Sequence, residues 1–418
     1  MTAIVTFIAL VFVYSLVSER LGRTVITPPI LFTCAGFLAF MFLPAIHDPS
    51  SKRDIFLHLA EIGLVLLLFT DASRTNLHVL KSIRSLPARL LSTGMLLTLL
   101  LGTLGALVVF RKLTVWEAGI LGAILAPTDA GLGQIIVTSP LVPMRVRQAL
   151  NVEAGLNDGL SVPFLLFFLA WPHGDDAERG ARLVRYIGEQ LGLGTLIGAA
   201  VGLIGGWLLG VAHRRKWMAE PLQQLGVVAV ALLCMLLSDP VGASMFIAAF
   251  VAGLAVQVGF RQAGKHSVEF TEQWGQLINL SVFFLFGLVV ARDWRLFEWS
   301  HLLYAVLSLT VIRMLPVAIA LIGTRLSAAT VLFMGWFGPR GLASIVLGLV
   351  YLEHRTNSPV ESTIRLAVMA TVLLSILAHG LSAMPGIRLY AARVKRLDPG
   401  APELLETSAQ HGTHAARS

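Results

Sequence analysis

Long apolar runs separated by short polar segments make up most of the chain. A membrane-spanning helix needs about 20 mostly apolar residues, with a range of roughly 17 to 25. By that measure the pattern predicts about thirteen spanning helices, with approximate limits 2–18, 27–46, 54–71, 87–110, 114–137, 145–171, 186–212, 221–238, 240–258, 272–292, 301–323, 326–352 and 362–388. The eighth and ninth are divided by Ser238-Asp239-Pro240, and without that break the two would count as one.

The composition agrees with an all-α polytopic membrane protein. The 418 residues are 56% hydrophobic and 13% charged, with a mean hydropathy of +0.77, which is too apolar for an ordinary soluble domain. The net charge of +8 does not indicate a nucleic-acid partner, because the basic residues lie singly or in small groups between apolar runs. Cys34 and Cys234 both lie in apolar runs, which argues against a disulfide framework. The run 2–18 lacks a basic leader and a clear cleavage site, so we expect a spanning helix rather than a signal peptide.

Basic residues indicate the orientation, because cytoplasmic loops are enriched in Lys and Arg. One side of the predicted topology carries Arg20, Arg23, Arg74, Lys81, Arg84, Arg89, Arg145, Arg147, Arg214, Arg215, Lys216, Arg393, Lys395 and Arg396. We therefore predict a cytoplasmic C-terminus and an N-terminus on the opposite side. The polar tail 397–418 is expected to be disordered, with no cytoplasmic regulatory domain after it.

The segment 151–161 puts two carboxylates, asparagine and serine into a predicted span. Ionisable groups at membrane depth are costly and are usually functional. Ala154, Asp158 and Ser161 follow at i, i+4 and i+7 and so share one helix face, with Glu153 and Asn157 on the adjoining stripe. This face is predicted to present a cation site. We expect Asp158 to carry either a proton or a cation, while Asn157 can ligate or orient without titrating.

Two prolines interrupt predicted spans in the two halves of the chain, in 125–131 around Pro127 and in 336–341 around Pro339. The segments 67–74 and 284–292 also resemble each other. Matching interrupted helices are typical of transporters built from inverted repeats, which bind their substrate where the broken helices meet. Thr128 and Asp129 could therefore contact a hard cation, or Asp129 could cap the following half-helix, and both can hold together.

Other charges at membrane depth have competing interpretations. We predict a structural ion pair between Glu153 and Arg340, because each is otherwise a lone charge in an apolar span. Asp71, near the end of a span, is either a funnel group at an ion entrance or a solvated helix-end charge. His58 and Glu61 on the same span are expected to be satisfied or interfacial.

Three motifs follow one another along the predicted spans: Ala-Pro-Thr-Asp at 126–129, Glu-Ala-Gly-Leu-Asn-Asp at 153–158 and Gly-Pro-Arg-Gly at 338–341. In this order they resemble the NhaP-type sodium/proton antiporters, within the monovalent cation:proton antiporter family that includes the animal sodium/proton exchangers. The resemblance implies a homodimer of thirteen-helix protomers with two crossed, partly unwound helices. It further implies a dimerisation scaffold, here 1–86 and 186–292, and an ion-transporting core, here 87–171 and 301–388, that moves as an elevator.

The resemblance also implies residue roles. The family's Asn-Asp pair falls on Asn157 and Asp158, its unwound Thr-Asp on Thr128 and Asp129, and its Glu–Arg pair on Glu153 and Arg340. Members with Asn-Asp are generally electroneutral, and Asp158 with Thr128 would contact Na⁺. The chain departs from many relatives at Ala154, where they have serine. Ser161, water or a backbone carbonyl can supply the missing oxygen, which leaves the choice between Na⁺ and K⁺ open.

From the residues alone, the chain is predicted to be a cation-coupled or proton-coupled secondary transporter. The resemblance makes it a plasma-membrane antiporter of Na⁺, Li⁺ or K⁺ against H⁺ that serves pH homeostasis, with membrane lipids as partners and no cofactor. A sodium-coupled symporter of an organic anion is the alternative, followed by a non-transporting receptor or sensor. An enzyme is disfavoured, since there is no His-Glu-x-x-His pair and no nucleophile with a paired base.

Overall fold

The computed structural model describes residues 2–22, 24–44, 53–74, 86–170, 177–260, 267–354, 360–398 and 400–404, and within these ranges the chain is helical without strands. The first half contains α1 (Thr2–Leu21), α2 (Pro28–Phe42), α3 (Arg53–Arg74), α4 (Leu86–Val109), α5 (Val115–Ile124), α6 (Ala130–Thr138), α7 (Met144–Ala170) and α8 (Ala177–Arg214). The second half contains α9 (Glu220–Ser238), α10 (Met245–Gly259), α11 (Ser267–Asp293), α12 (Trp299–Leu309), α13 (Val311–Ala320), α14 (Ala328–Trp336), α15 (Leu342–His354) and α16 (Glu361–Val394).

The predicted all-helical architecture is confirmed in the described residues, and each predicted span coincides with helical structure. By length and composition, seven helical segments there are long and apolar enough to cross a membrane. Shorter apolar helices of 10–17 residues lie between them, among them α2, α5 and α10. The total of thirteen crossings and the inverted repeats stay predictions.

The break between the eighth and ninth predicted spans is present in the structure. Helix α9 ends at Ser238, a 3₁₀ turn covers Asp239–Val241, and α10 begins at Met245. The Ser244 hydroxyl accepts a hydrogen bond from the Ile247 N–H at 3.4 Å and so caps α10. Asp239 therefore lies in the connection, as expected.

Helices α2, α3, α8, α10 and α11 pack against one another. The contact between α8 and α10 is close because Gly198, Gly202 and Gly206 recur every four residues along α8 and face the α10 backbone. A Cβ atom at any of the three would overlap α10. Small residues in such a row let two membrane helices approach to backbone contact.

A second set of helices surrounds the two interrupted ones: α4 packs on α5, α6 on α7, α12 on α16 and α13 on α14. The division into a scaffold and a core with the predicted limits stays a prediction. The expectation of a disordered tail is wrong for 400–404, because buried Glu403 accepts a hydrogen bond from the Ser327 N–H at 2.6 Å. Residues 405–418 lie outside the described residues.

Candidate ion-binding site

Two interrupted helices meet at the centre of the site, at the two predicted prolines. Helix α5 ends at Ile124 and α6 begins at Ala130, while α14 ends at Trp336 and α15 begins at Leu342. Pro127 and Pro339 lie in these gaps and have no amide hydrogen to continue a helix. The Asp129 N–H donates to the Pro339 carbonyl at 2.8 Å, so the two breaks lie side by side.

Asp129 caps the half-helices that follow both breaks. Its Oδ1 accepts from the N–H groups of Gly131 at 2.6 Å and Leu132 at 3.1 Å, at the start of α6. Its Oδ2 accepts from the N–H of Leu342 at 2.5 Å, at the start of α15. The positive ends of two helix dipoles thus face one buried carboxylate. The structure therefore shows the capping role, extended to a second helix.

Gly341 makes the second of these caps possible. A Cβ atom at this position would overlap the Asp129 carboxylate and also crowd Leu132. Only glycine, which has no side chain, lets the start of α15 approach Asp129 this closely.

Arg340 closes the carbonyl end of α5. Its Nη1 donates to the carbonyl oxygens of Ala126 at 2.8 Å and Pro127 at 2.9 Å, and its own N–H donates to the Ser375 hydroxyl at 2.7 Å. The Ser344 hydroxyl donates to the Ile124 carbonyl at 2.9 Å. The Arg340 guanidinium and the Ser344 hydroxyl therefore satisfy carbonyl groups that the break leaves without partners in the helix.

The predicted ion pair between Glu153 and Arg340 is wrong. Glu153 instead pairs with Arg313 on α13, at 2.5 Å for Oε1–Nη1 and 3.0 Å for Oε2–Nη2. Both side chains are only 3% exposed. The Arg313 fork satisfies both carboxylate oxygens at once, while the Arg340 guanidinium is directed to backbone carbonyls.

Sequence reasoning missed Arg313, although a signal was present. Arg313 is the single charge in the apolar segment 302–324, and a lone charge in a span is expected to have a buried partner. The rule applies equally to Arg340, so it could not decide which of the two arginines faces Glu153.

Asn157 links α7 to the first break. Its Nδ2 donates to the Thr128 hydroxyl at 2.7 Å, and its Oδ1 has no hydrogen-bond partner among the described residues. Asp158 is the next residue and is 3% exposed. The Ser161 hydroxyl donates to the Asp158 backbone carbonyl at 2.7 Å, so its hydrogen is engaged within α7 while its lone pairs remain available.

A cavity lies beside the crossing, between both breaks and the first half of α7. Its lining residues are Thr128, Asp129, Gly133, Ile136, Val137, Leu150, Asn151, Glu153, Ala154, Phe337 and Pro339. The lining on α7 ends at Ala154, one helix turn before Asp158 on the same face. Because Ala154 forms part of the wall, the missing serine oxygen would have pointed to this cavity.

The remaining predicted residues belong to α3. Asp71 belongs to α3, but its side chain is outside the described residues. Glu61 is buried on the same helix, and its Oε2 lies 3.2 Å from Nδ1 of His58. Over the described ranges, no group of three or more His, Cys, Asp or Glu residues could hold a resident metal ion.

The transmembrane model of the sodium/hydrogen exchanger family matches residues 6–387. The chain is 27% identical over 383 residues to the K⁺/H⁺ antiporter NhaP2 of Shewanella sp. strain MR-4, covering 89% of this chain and 64% of that one. It is 27% identical over 271 residues to the Na⁺/H⁺ antiporter 2 of Zygosaccharomyces rouxii, covering 58% of this chain and 33% of that one. The chain thus spans less than two thirds of these relatives' own length.

Among solved structures, the fold is similar to that of the sodium proton antiporter MjNhaP1 from Methanocaldococcus jannaschii. The TM-score is 0.72 at 22% sequence identity, over 94% of this chain and 99% of the other. At this identity the likeness establishes a common fold.

Proposed function

Because the chain belongs to the sodium/hydrogen exchanger family, we propose that it exchanges a monovalent alkali cation for a proton across the membrane. The resemblance to NhaP-type antiporters is confirmed by the family match. Relatives bear the names of both K⁺/H⁺ and Na⁺/H⁺ antiporters, so either ion fits the family. The same relatives do not favour the symporter alternative.

The observation that carries this proposal is the burial of Asp158 directly after Asn157, whose side chain donates to Thr128 in the first break. An ionised carboxylate at membrane depth is costly, and either a proton or a bound cation removes its net charge. Proton and cation then compete for one group. A carrier that crosses only in a neutralised form exchanges one for the other.

The oxygens that we propose as ligands of the alkali cation, besides the Asp158 carboxylate, belong to Thr128, Asn157 and Ser161. Thr128 contributes a hydroxyl and Asn157 an amide oxygen without a hydrogen-bond partner in the described structure, and Ser161 retains its lone pairs. Hard cations prefer such oxygen ligands. Asp129 has the capping role in this proposal, because both its carboxylate oxygens accept backbone N–H groups. With Asn157 beside it, Asp158 is the one titrating carrier, which makes the exchange electroneutral.

Several contacts support movement of the core as one body in an elevator cycle. Asp129 joins α6 to α15, Arg340 joins α15 to the end of α5, and the Glu153–Arg313 pair joins α7 to α13. These connections would carry the site intact past the scaffold 1–86 and 186–292, through which we propose that the protein dimerises. In the predicted plasma-membrane orientation, with the C-terminus inside, the cavity lies toward the cytoplasm, next to the turn that precedes α7.

The test is ΔpH-driven exchange in proteoliposomes, with Na⁺, Li⁺, K⁺ and choline added in turn. Asp158→Asn should abolish cation-dependent proton flux, while Asp398→Asn, the same change at an exposed carboxylate, should leave it intact. Clamping the voltage with potassium and valinomycin should not change the rate. Normal proton flux in Asp158→Asn would refute Asp158 as the carrier. No flux from the folded wild-type protein with any of the cations would favour the symporter.

A further inference from the structure

The imidazole of His379, on α16, lies at the carbonyl end of half-helix α14. It is buried, with Nε2 2.8 Å from the Trp336 carbonyl oxygen and Nδ1 3.1 Å from the Ser375 hydroxyl. Trp336 is the last residue of α14, where carbonyls have no partner within the helix, and its carbonyl also accepts from the Gly338 N–H at 2.9 Å. His379 therefore occupies at the second break the place that Arg340 occupies at the first.

The hydrogen-bond partners select one neutral form of the ring. The Trp336 carbonyl can only accept, so Nε2 carries the hydrogen. The Ser375 hydroxyl accepts from the Arg340 N–H at 2.7 Å and is then free to donate to Nδ1. Nδ1 also lies 3.0 Å from the Ser375 carbonyl oxygen. To donate to this carbonyl and to that of Trp336 at once, the ring would need a hydrogen on both nitrogens, and the resulting cation would lie near Arg340 and Arg313.

We propose that His379 is a positioning residue for cation binding, an inference that rests on the proposed function. It closes α14 and, through Ser375, fixes the backbone of Arg340. The Arg340 side chain in turn holds the Ala126 and Pro127 carbonyls, directly before Thr128. His379 thus ties the two breaks together without contacting the ion.

The transport test compares His379→Leu with His379→Gln and with a matched control, His301→Leu. His301 is also a buried imidazole that caps a helix, since its Nδ1 accepts from the Glu298 N–H at 3.0 Å, but it lies away from the breaks. Loss of one hydrogen-bond link should raise KM for the cation about fivefold in His379→Leu, with kcat within about a factor of two. The glutamine amide can donate to the Trp336 carbonyl, so His379→Gln should restore most of the affinity. His301→Leu should leave KM unchanged.

Amide hydrogen exchange tests the same proposal without transport. His379→Leu should increase deuterium uptake across 337–342, while His301→Leu should increase it only near the start of α12. If His379→Leu does not fold, Ser375→Ala keeps the imidazole, breaks the link to Arg340 and should raise both uptake at 340 and KM.

The outcomes separate this proposal from the proposed function. Uptake across 337–342 that matches the wild type, or an active His379→Leu whose KM does not exceed that of His301→Leu, overturns the positioning role and leaves the antiporter standing. If the wild-type protein shows no proton flux with any cation, the proposed antiporter function is wrong. The amide hydrogen-exchange data then decide whether His379 holds the second break in place.

Discussion

Glu153 and Arg313 form a bidentate ion pair between α7 and α13, with both side chains buried. Both side chains are almost fully buried, so each depends on the other for most of its stabilisation. The pair fixes the first half of α7, which forms a wall of the cavity, against the helix that precedes the second interrupted one. Its position beside the proposed carrier makes its contribution to stability the first quantity to measure.

Arg313→Ala should strongly destabilise the fold, because it leaves Glu153 buried without its partner. Breaking a buried pair in this way costs about 3 to 5 kcal/mol. The measurement is thermal unfolding in detergent. The exposed pair Arg185–Glu189 is the control, and its loss should leave the melting temperature nearly unchanged. Equal melting temperatures for Arg313→Ala and Arg185→Ala would refute the dependence of Glu153 on Arg313.

Gly341→Ala should reduce both folded yield and exchange, because its methyl group would displace Asp129 from the start of α15. Overpacking of this kind typically costs about 1 to 3 kcal/mol. Gly188→Ala is the matched change at a helical glycine with open space around it, and should stabilise the protein by about 0.5 to 1 kcal/mol. Thermal unfolding and the flux assay measure both effects. A stable, active Gly341→Ala would mean that α15 does not approach Asp129 as closely as described.

Glu403 should make the free energy of unfolding depend on pH. Burial alone would raise the pKa of its carboxyl, but hydrogen bonds from Ser327 and Thr330 outweigh it and lower the pKa below its usual value. A lowered folded-state pKa adds stability that is complete above the unfolded value of about 4.3 and is lost as pH falls through the folded value. The melting-temperature difference between wild type and Glu403→Gln should therefore be constant near neutrality and shrink in acid. A difference that grows in acid would contradict the contact.

Asp293 and Arg365 should be energetically coupled in the transport cycle. Their ion pair joins the last residue of α11, directly after the proposed scaffold segment 186–292, to the start of α16 in the proposed core. Because the pair stabilises only the arrangement in which it forms, breaking it should speed departure from that arrangement by up to about fivefold. Asp293→Asn and Arg365→Gln should raise the exchange rate alike, and the double variant should do no more. Additive effects in the double-mutant cycle would show that the two residues act separately.

The helices and their interruptions could be predicted from the sequence because they follow from local patterns. Apolar runs fix the spans, and Pro127 and Pro339 mark points where a helix loses a backbone hydrogen bond and can break, although Pro163, Pro316 and Pro385 lie inside helices. The cap by Asp129 on α6 is also local. Its bond to Leu342 is not, since 213 residues separate the two and no spacing rule connects them.

The partner of Glu153 was beyond prediction for the same reason. Arg313 and Arg340 satisfy the rule for lone buried charges equally well, and only the packing of α13 against the second break decides between them. The tail was misjudged because its polar composition indicates disorder. Its docking depends on Glu403 meeting the start of α14, a surface that exists only in the folded protein.

The separation of 160 residues between Glu153 and Arg313 has a consequence for biosynthesis. At a synthesis rate of about 5 to 20 residues per second, Glu153 leaves the ribosome roughly 8 to 32 seconds before its partner. Throughout that interval the newly made α7 holds a carboxylate whose native counter-charge does not yet exist. The first half of the chain is therefore made with Glu153 unpaired, and the ion pair closes only after α13 has been synthesised.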